Sequence, residues 1–275
     1  MFKTIIGNWL IILSVGVLTA FVFMALLAPL ISPYDPAVGE LRDRLLPPLS
    51  KEHVLGTDPM GRDLLTRVIY GARISMVVSL ASVLLAGLFG TLVGLISGFY
   101  GGWTDSVIMR FVDVQLSFPF VILALTIAAI LGPSLQNIII TLVVSNWVIY
   151  ARLVRGEVLG IKEKQYVQAA FTVGLPNWRI MLTNIFPNVM APVIVLASLE
   201  IGRMIIAEAA ISFLGFGIQP PTAAWGNILS EGRDYMSTAW WLTVFPGLAI
   251  VITTLCVNVV GDMLRDKLDP RLKLK

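Results

Sequence analysis

Two long stretches of this sequence carry no charged side chain, and they restrict the fold more than any motif does. No Asp, Glu, Lys or Arg occurs from Ile74 to Thr104, nor from Val114 to Ala151. A bilayer crossing needs about 20 apolar residues. The first stretch supplies one crossing; the second supplies two, divided at Leu131-Gly132-Pro133-Ser134. Composition points the same way. The 275 residues are 57% hydrophobic and 13% charged, with a mean hydropathy of +0.85, whereas soluble domains carry about 25% charged residues. Further apolar runs complete an all-α, polytopic membrane protein with six transmembrane helices, at about 5–30, 74–98, 112–131, 135–151, 189–216 and 240–263. We read 1–275 as a single transmembrane domain.

The first run is too long for the 7–15-residue core of a signal peptide, and Ala28-Pro29-Leu30 is a poor cleavage site, so it is expected to be a retained span. The lone Cys256 allows no disulfide within the chain, and with His53 as the sole histidine a His/Cys metal cage is not expected. No cofactor is expected. The net charge of +3 sits in loops and suits a membrane face rather than nucleic acid. With the N-terminus inside, twelve Lys/Arg fall in inner segments and seven in outer ones. Basic residues favour the cytoplasm, so both termini are expected there, with Lys162 and Lys275 inside and Lys51 outside.

The outer segment 31–73 contains Pro33, Pro36, Pro47 and Pro48, which make it irregular. Asp58-Pro59 then reads as the start of a short amphipathic helix, with Asp58 as N-cap. Inside the fifth run lie Glu200, Arg203 and Glu208. A charge at mid-membrane costs about 2.5–3.5 kcal/mol on insertion scales. Glu200 and Arg203, three residues apart, share a helix face and can pair. Either they line a polar path or they clamp helices together. Gly87, Gly90, Gly94 and Gly98 form a small-residue face that permits close helix packing. Pro119, Pro192 and Pro246 are expected to kink spans.

Between the fourth and fifth runs, 152–188 holds a polar, basic island, Lys164–Pro187. Lys164 to Val173 is predicted as a short helix closed by a left-handed Gly174. Asn177 is expected to cap a second one, ended by Pro187. Ala169 and Ala170 leave room for a partner's close approach, and Ala170 is expected to face that partner. The spacing of Ala170, Gly174 and Pro187 resembles the cytoplasmic EAA loop of ABC importer permeases. HVLGTDPMGRDLLTRVIYGARIS (His53–Ser75), GFYGGWTDSVIMRFVDV (Gly98–Val114), EAAISFLGFGIQPPTAAWGNIL (Glu208–Leu229) and WWLTVFPGLAIVITTLCVNVVGDMLRDKLDPR (Trp240–Arg271) resemble the second, C-type permease subunit of dipeptide, oligopeptide and nickel importers. Two departures stand out: Gln168 replaces the loop's glutamate, and Asn184 replaces a histidine or isoleucine before the final leucine-proline pattern.

The resemblance implies a type I ABC importer transmembrane domain in a bacterial inner membrane. It implies a homologous second permease subunit, two cytoplasmic ATPase subunits held by Gln168, Ala169, Ala170, Gly174 and Pro187, and an external substrate-binding protein. The chain has no G-x-x-x-x-G-K-[ST] phosphate loop and no H-E-x-x-H motif; with no credible catalytic triad either, it is expected to be non-catalytic. The cargo expected is a di- or oligopeptide, with nickel, a metal chelate or glutathione as alternatives. An ion-coupled secondary carrier is the rival class; such carriers usually show internal repeats and unwound helices at a midplane site, and neither is evident in the sequence.

Overall fold

The computed structural model describes residues 2–50 and 52–268. Lys51 and Lys275, two of the three topology positions, lie outside them. The regular structure is helical, with no strand beyond two isolated bridges among the described residues. In order come α1 (Phe2–Leu26), α2 (Ala28–Ile31), α3 (Leu64–Tyr100), α4 (Gly102–Leu116), α5 (Phe120–Leu131), α6 (Leu135–Lys162), α7 (Gln165–Thr172), α8 (Asn177–Ile180), α9 (Phe186–Phe213), α10 (Trp225–Gly232) and α11 (Trp241–Leu268). Five helical segments are long and apolar enough to cross a membrane, or six when the bent pair α4–α5 is taken as one.

Several helices outrun the apolar windows. α3 has 37 residues, about 55 Å at 1.5 Å per residue, against a hydrocarbon core of about 30 Å. Its N-terminal turns are the segment expected to form a separate amphipathic helix. Asp58 does not cap it. The cap is Asp63, whose carboxylate accepts from the Thr66 N–H at 2.8 Å. Residues 102–111, which fall between the second and third expected spans, are helical in α4. Gly101 and Gly102 both adopt positive φ and break the chain direction there. Asp105 in the first turn of α4 pairs with Arg155 on α6 at 2.6 Å. At Ser117–Pro119 the helix breaks again, and α5 leaves at 92° to α4. Proline has no N–H to continue the ladder.

The core is built on α3 against α6. A Cβ added at Gly90 would lie 2.3 Å from the Trp147 carbonyl oxygen, and one at Gly94 would lie 2.6 Å from that of Ala151. The two backbones therefore touch along the glycine face, as small residues in membrane helices permit. α9 closes the bundle against α3, α6 and α11. Tyr150, Val154 and Val158 on α6 pack with Leu95 and Phe99 on α3 and with Val189 and Val193 on α9. α5 inserts Ala124 and Ala128 beside Ile138 and Leu142 of α6 and Met204 of α9.

One end of the bundle carries a polar cap. Asp58, fully buried, accepts from Arg62 Nε at 2.6 Å and from Arg67 Nη1, while Glu231 of α10 accepts from Arg62 Nη2 at 2.9 Å and from both Arg67 terminal nitrogens. The Trp241 indole at the start of α11 donates to the Thr57 carbonyl at 3.2 Å. The irregular segment before α3 is thus fastened to α10 and α11. α7 and α8 lie at the opposite end.

Candidate coupling site

The predicted helix 164–173 appears as α7, closed by a hydrogen-bond pattern that requires a left-handed residue. Gly174 has φ +80. Its N–H donates to the Phe171 carbonyl at 3.0 Å, and the Leu175 N–H donates to the Ala170 carbonyl at 3.2 Å. This is the paired closure of a Schellman cap.

The second half departs from expectation. Asn177 makes no side-chain cap; Pro176 occupies the N-cap position. Pro187 does not end the helix. The chain runs from α8 through a π-helical turn, Met181–Ile185, into α9, and Pro187 falls in the first turn of α9. The Phe186 N–H donates to the Met181 carbonyl, and this wider turn accommodates a residue that cannot donate and whose ring would clash with a regular turn. Asn177–Phe213 therefore forms one continuous rod reaching from the α7 end into the bundle.

Three joints hold the α7–α8 unit. Phe171 stacks on Phe99 at the end of α3, ring centroids 6.0 Å apart. The Lys162 ammonium donates to the Phe99 carbonyl at 2.7 Å and lies 5.6 Å from the centre of its ring. The Gln168 side-chain amide donates to the Lys162 carbonyl at 2.8 Å, closing the corner between α6 and α7. A glutamate at 168 has no N–H for that bond when ionised, so the departure from the EAA pattern has a structural use. The third joint is the continuous rod into α9. A displacement of α7 is passed to α3, α6 and α9 together.

Gln168, Ala169 and Gly174 are exposed. Ala170 is not; it is 8% exposed and packs with Val167, Ile161 and Ile180. The helix turns Ala170 toward its own chain and Ala169 outward. Reasoning from the residues missed the apolar groups beside Ala169. Val173 is 79% exposed and Trp178 61% exposed, and Tyr166, Ala169 and Val173 share a face by their three- and four-residue spacing. The signal was present: apolar side chains inside a polar island, at exposed positions beside the buried Val167 and Ala170. Pro187, also exposed, lies apart on the rod.

Glu200 and Arg203 come together in α9, away from this surface. Arg203 Nη1 lies 3.2 Å from Glu200 Oε1, and the Asn146 side-chain amide of α6 donates to Glu200 Oε2 at 3.0 Å. The Glu200 side chain is buried, whereas that of Arg203 is 49% exposed and lies 5.3 Å from the Phe120 ring centre. Arg203→Ala leaves Glu200 with the Asn146 amide, which softens the loss. A double-mutant cycle with Glu200→Gln, read as melting of the purified protein, is expected to give a coupling of about 0.5–1 kcal/mol. Strict additivity would mean that the two side chains do not interact.

The sequence comparisons accord with this architecture. Residues 90–274 match the family described as binding-protein-dependent transport system inner membrane component, and residues 1–48 match the N-terminal transmembrane domain of oligopeptide transport permease C. The chain is 44% identical over 272 residues to a dipeptide transport system permease protein of Alkalihalophilus pseudofirmus, covering 99% of this chain and 89% of the relative. It is 40% identical over 250 residues to a glutathione transport system permease protein of Pectobacterium atrosepticum, covering 91% and 83%. A crystal structure of an amino acid ABC transporter shares the fold, with a TM-score of 0.58 and 15% identity, over 74% of this chain and 94% of that one. The fold is that of an ABC transporter permease. The chain belongs to the family of inner membrane components of binding-protein-dependent transport systems: it is a multi-pass, non-catalytic permease subunit of an ABC importer.

Proposed function

We propose that this subunit forms half of a translocation pathway for di- or oligopeptides and that α7 with α8 is the surface on which a cytoplasmic ATPase subunit docks. The observation that carries the docking reading is the welding of α7–α8 to three membrane helices at once. A floppy loop dissipates a push; a unit fastened to α3, α6 and α9 transmits it as a rigid body. In this reading a homologous permease completes the pathway, a second ATPase binds that permease, and an external binding protein delivers cargo at the polar cap. Both termini and Lys162 are cytoplasmic. Closure of the ATPase pair on ATP drives α7 and the rod 177–213, and the spans move between inward-open and outward-open states. The residues 1–275 then act as one transmembrane domain, with 31–73 outside and 152–188 as the coupling segment.

The names of the relatives support a peptide cargo, and one relative is named for glutathione. Proteoliposomes holding the full complex, with ATP inside and the binding protein outside, are offered a labelled dipeptide, glutathione or a nickel chelate. ATP-dependent accumulation of dipeptide is expected. Accumulation of glutathione or chelate alone reassigns the cargo, and uptake driven by an ion gradient without ATP defeats the coupling reading. Orientation has its own check: in a Cys256→Ala background, Lys162→Cys should react with an impermeant thiol reagent only after the cells are opened, and Lys51→Cys on intact cells. The reverse pattern inverts the topology.

A further inference from the structure

At the capped end of α3, Arg73 is exposed and makes no hydrogen bond or ion pair among the described residues. This contrasts with Arg62 and Arg67 on the same side of the molecule, which are consumed by Asp58 and Glu231. Arg73 lines a cavity of about 460 Å³ whose other walls carry no charge; they include Tyr70, Ile74, Leu135 and Pro221. A guanidinium without a counter-ion at the mouth of an apolar pocket calls for an oxyanion joined to an apolar body.

The surface below Arg73 indicates which one. Val77, Leu80, Leu84 and Leu88 are 46%, 50%, 60% and 62% exposed. Their spacing from Arg73, in steps of three and four, places all of them on one stripe of α3. From Arg73 to Leu84 the helix rises about 16 Å, close to half of the roughly 30 Å hydrocarbon core. A cation at the head of an apolar stripe one leaflet deep has the layout of a phospholipid. Tyr70, one turn above, is at the level where tyrosines meet headgroups.

We propose that Arg73 and its pocket bind the phosphate of an anionic phospholipid in the leaflet at the capped end, with an acyl chain lying along Val77, Leu80 and Leu84. The inference needs only that α3 crosses the membrane, so it stands apart from the cargo and from the coupling surface. The uncompensated charge of Arg73 gives the preference for net negative lipid. A basic residue near a membrane surface contributes about 1 kcal/mol, or about a fivefold preference.

The test uses the purified, delipidated complex with equal amounts of phosphatidylglycerol and phosphatidylcholine, and counts bound lipid by native mass spectrometry. The wild type should favour phosphatidylglycerol about fivefold. Arg73→Gln should abolish the preference, Arg73→Lys should keep most of it, and Arg42→Gln, at an exposed arginine in the segment before α3, should leave it unchanged. In a second arm, a fluorophore on Leu84→Cys in a Cys256→Ala background should be quenched by brominated phosphatidylglycerol. Preference retained in Arg73→Gln, displacement of the lipid by soluble dipeptide, or a Leu84→Cys site that cross-links to the second permease and escapes quenching would each overturn the proposal.

Discussion

Gly174→Val is expected to leave the protein inserted in the membrane and to lower ATP-driven uptake about 5–30-fold. The reason lies in the backbone. Gly174 closes α7 at φ +80, and an added Cβ there meets no atom within 4 Å. The Cβ itself is therefore uncrowded, and the cost expected is that of the left-handed backbone. A left-handed residue with a Cβ costs about 1–2 kcal/mol, which changes a local equilibrium about 5–30-fold. The strain is relieved by opening the Gly174–Phe171 and Leu175–Ala170 bonds, which frees α8 from its angle to α7. A graded series isolates this cause. Gly174→Asn should be mild, because Asn tolerates the left-handed region. Gly174→Ala should be intermediate and Gly174→Val worst. Gly160→Val, on α6 at the same end and likewise without neighbours within 4 Å, should transport normally because no positive φ is required there. Uptake and retained ATPase are measured on each purified complex. Equal, full uptake across the series would make Lys164–Pro187 an ordinary connection.

Ala170, by contrast, is a poor probe of docking. Its methyl group lies inside the subunit's own packing, so Ala170→Trp would damage the fold before any partner met it. Ala169→Trp and Trp178→Ala address the outward face instead.

The pattern of apolar runs made the all-helical membrane class legible, because lack of charge over such lengths has few other causes. The Gly87–Gly98 face and the left-handed Gly174 were legible for the same kind of reason, since each depends on neighbours along one helix. The failures share a different cause. Hydropathy marks where lipid is, not where a helix ends, so the extensions of α3 and α6 into water went unseen. Asp58-Pro59 carries a helix-start signal, yet Asp58 is taken by Arg62 and Arg67, and the adjacent signal at Asp63 wins. Pro187 carries a stop signal, but a π turn absorbs it. At the candidate site, the helix and its cap could be read from local residues. The joints to Phe99 and Lys162, and Glu231's place in the cap, depend on distant contacts that no local pattern encodes.

The cap formed by those distant contacts is where a single substitution should be most damaging to stability. Arg67 and Asp58 are both fully buried, and Arg67 links Asp58 to Glu231. Removing one member of a buried pair costs about 3–5 kcal/mol, because the remaining charge is left in a low dielectric without compensation. Arg67→Ala strands parts of two carboxylates, and Arg62, which reaches Asp58 Oδ2 and Glu231 Oε2 from the other side, compensates only in part. The expected result is a large drop in melting temperature and little assembled complex. Arg67→Lys should recover only some of the loss, because an ammonium cannot match the guanidinium fork that now spans both acids. The double replacement Arg67→Met, Glu231→Gln should be less damaging than Arg67→Ala, since it leaves Asp58 and Arg62 as a matched ion pair with no net charge stranded. Melting of the purified protein, with membrane yield as a second readout, decides the matter. If Arg67→Ala melts with the wild type, the buried ion cluster does not hold 53–63 to α10, and the rigidity of the capped end must come from Trp241 and the apolar contacts around it.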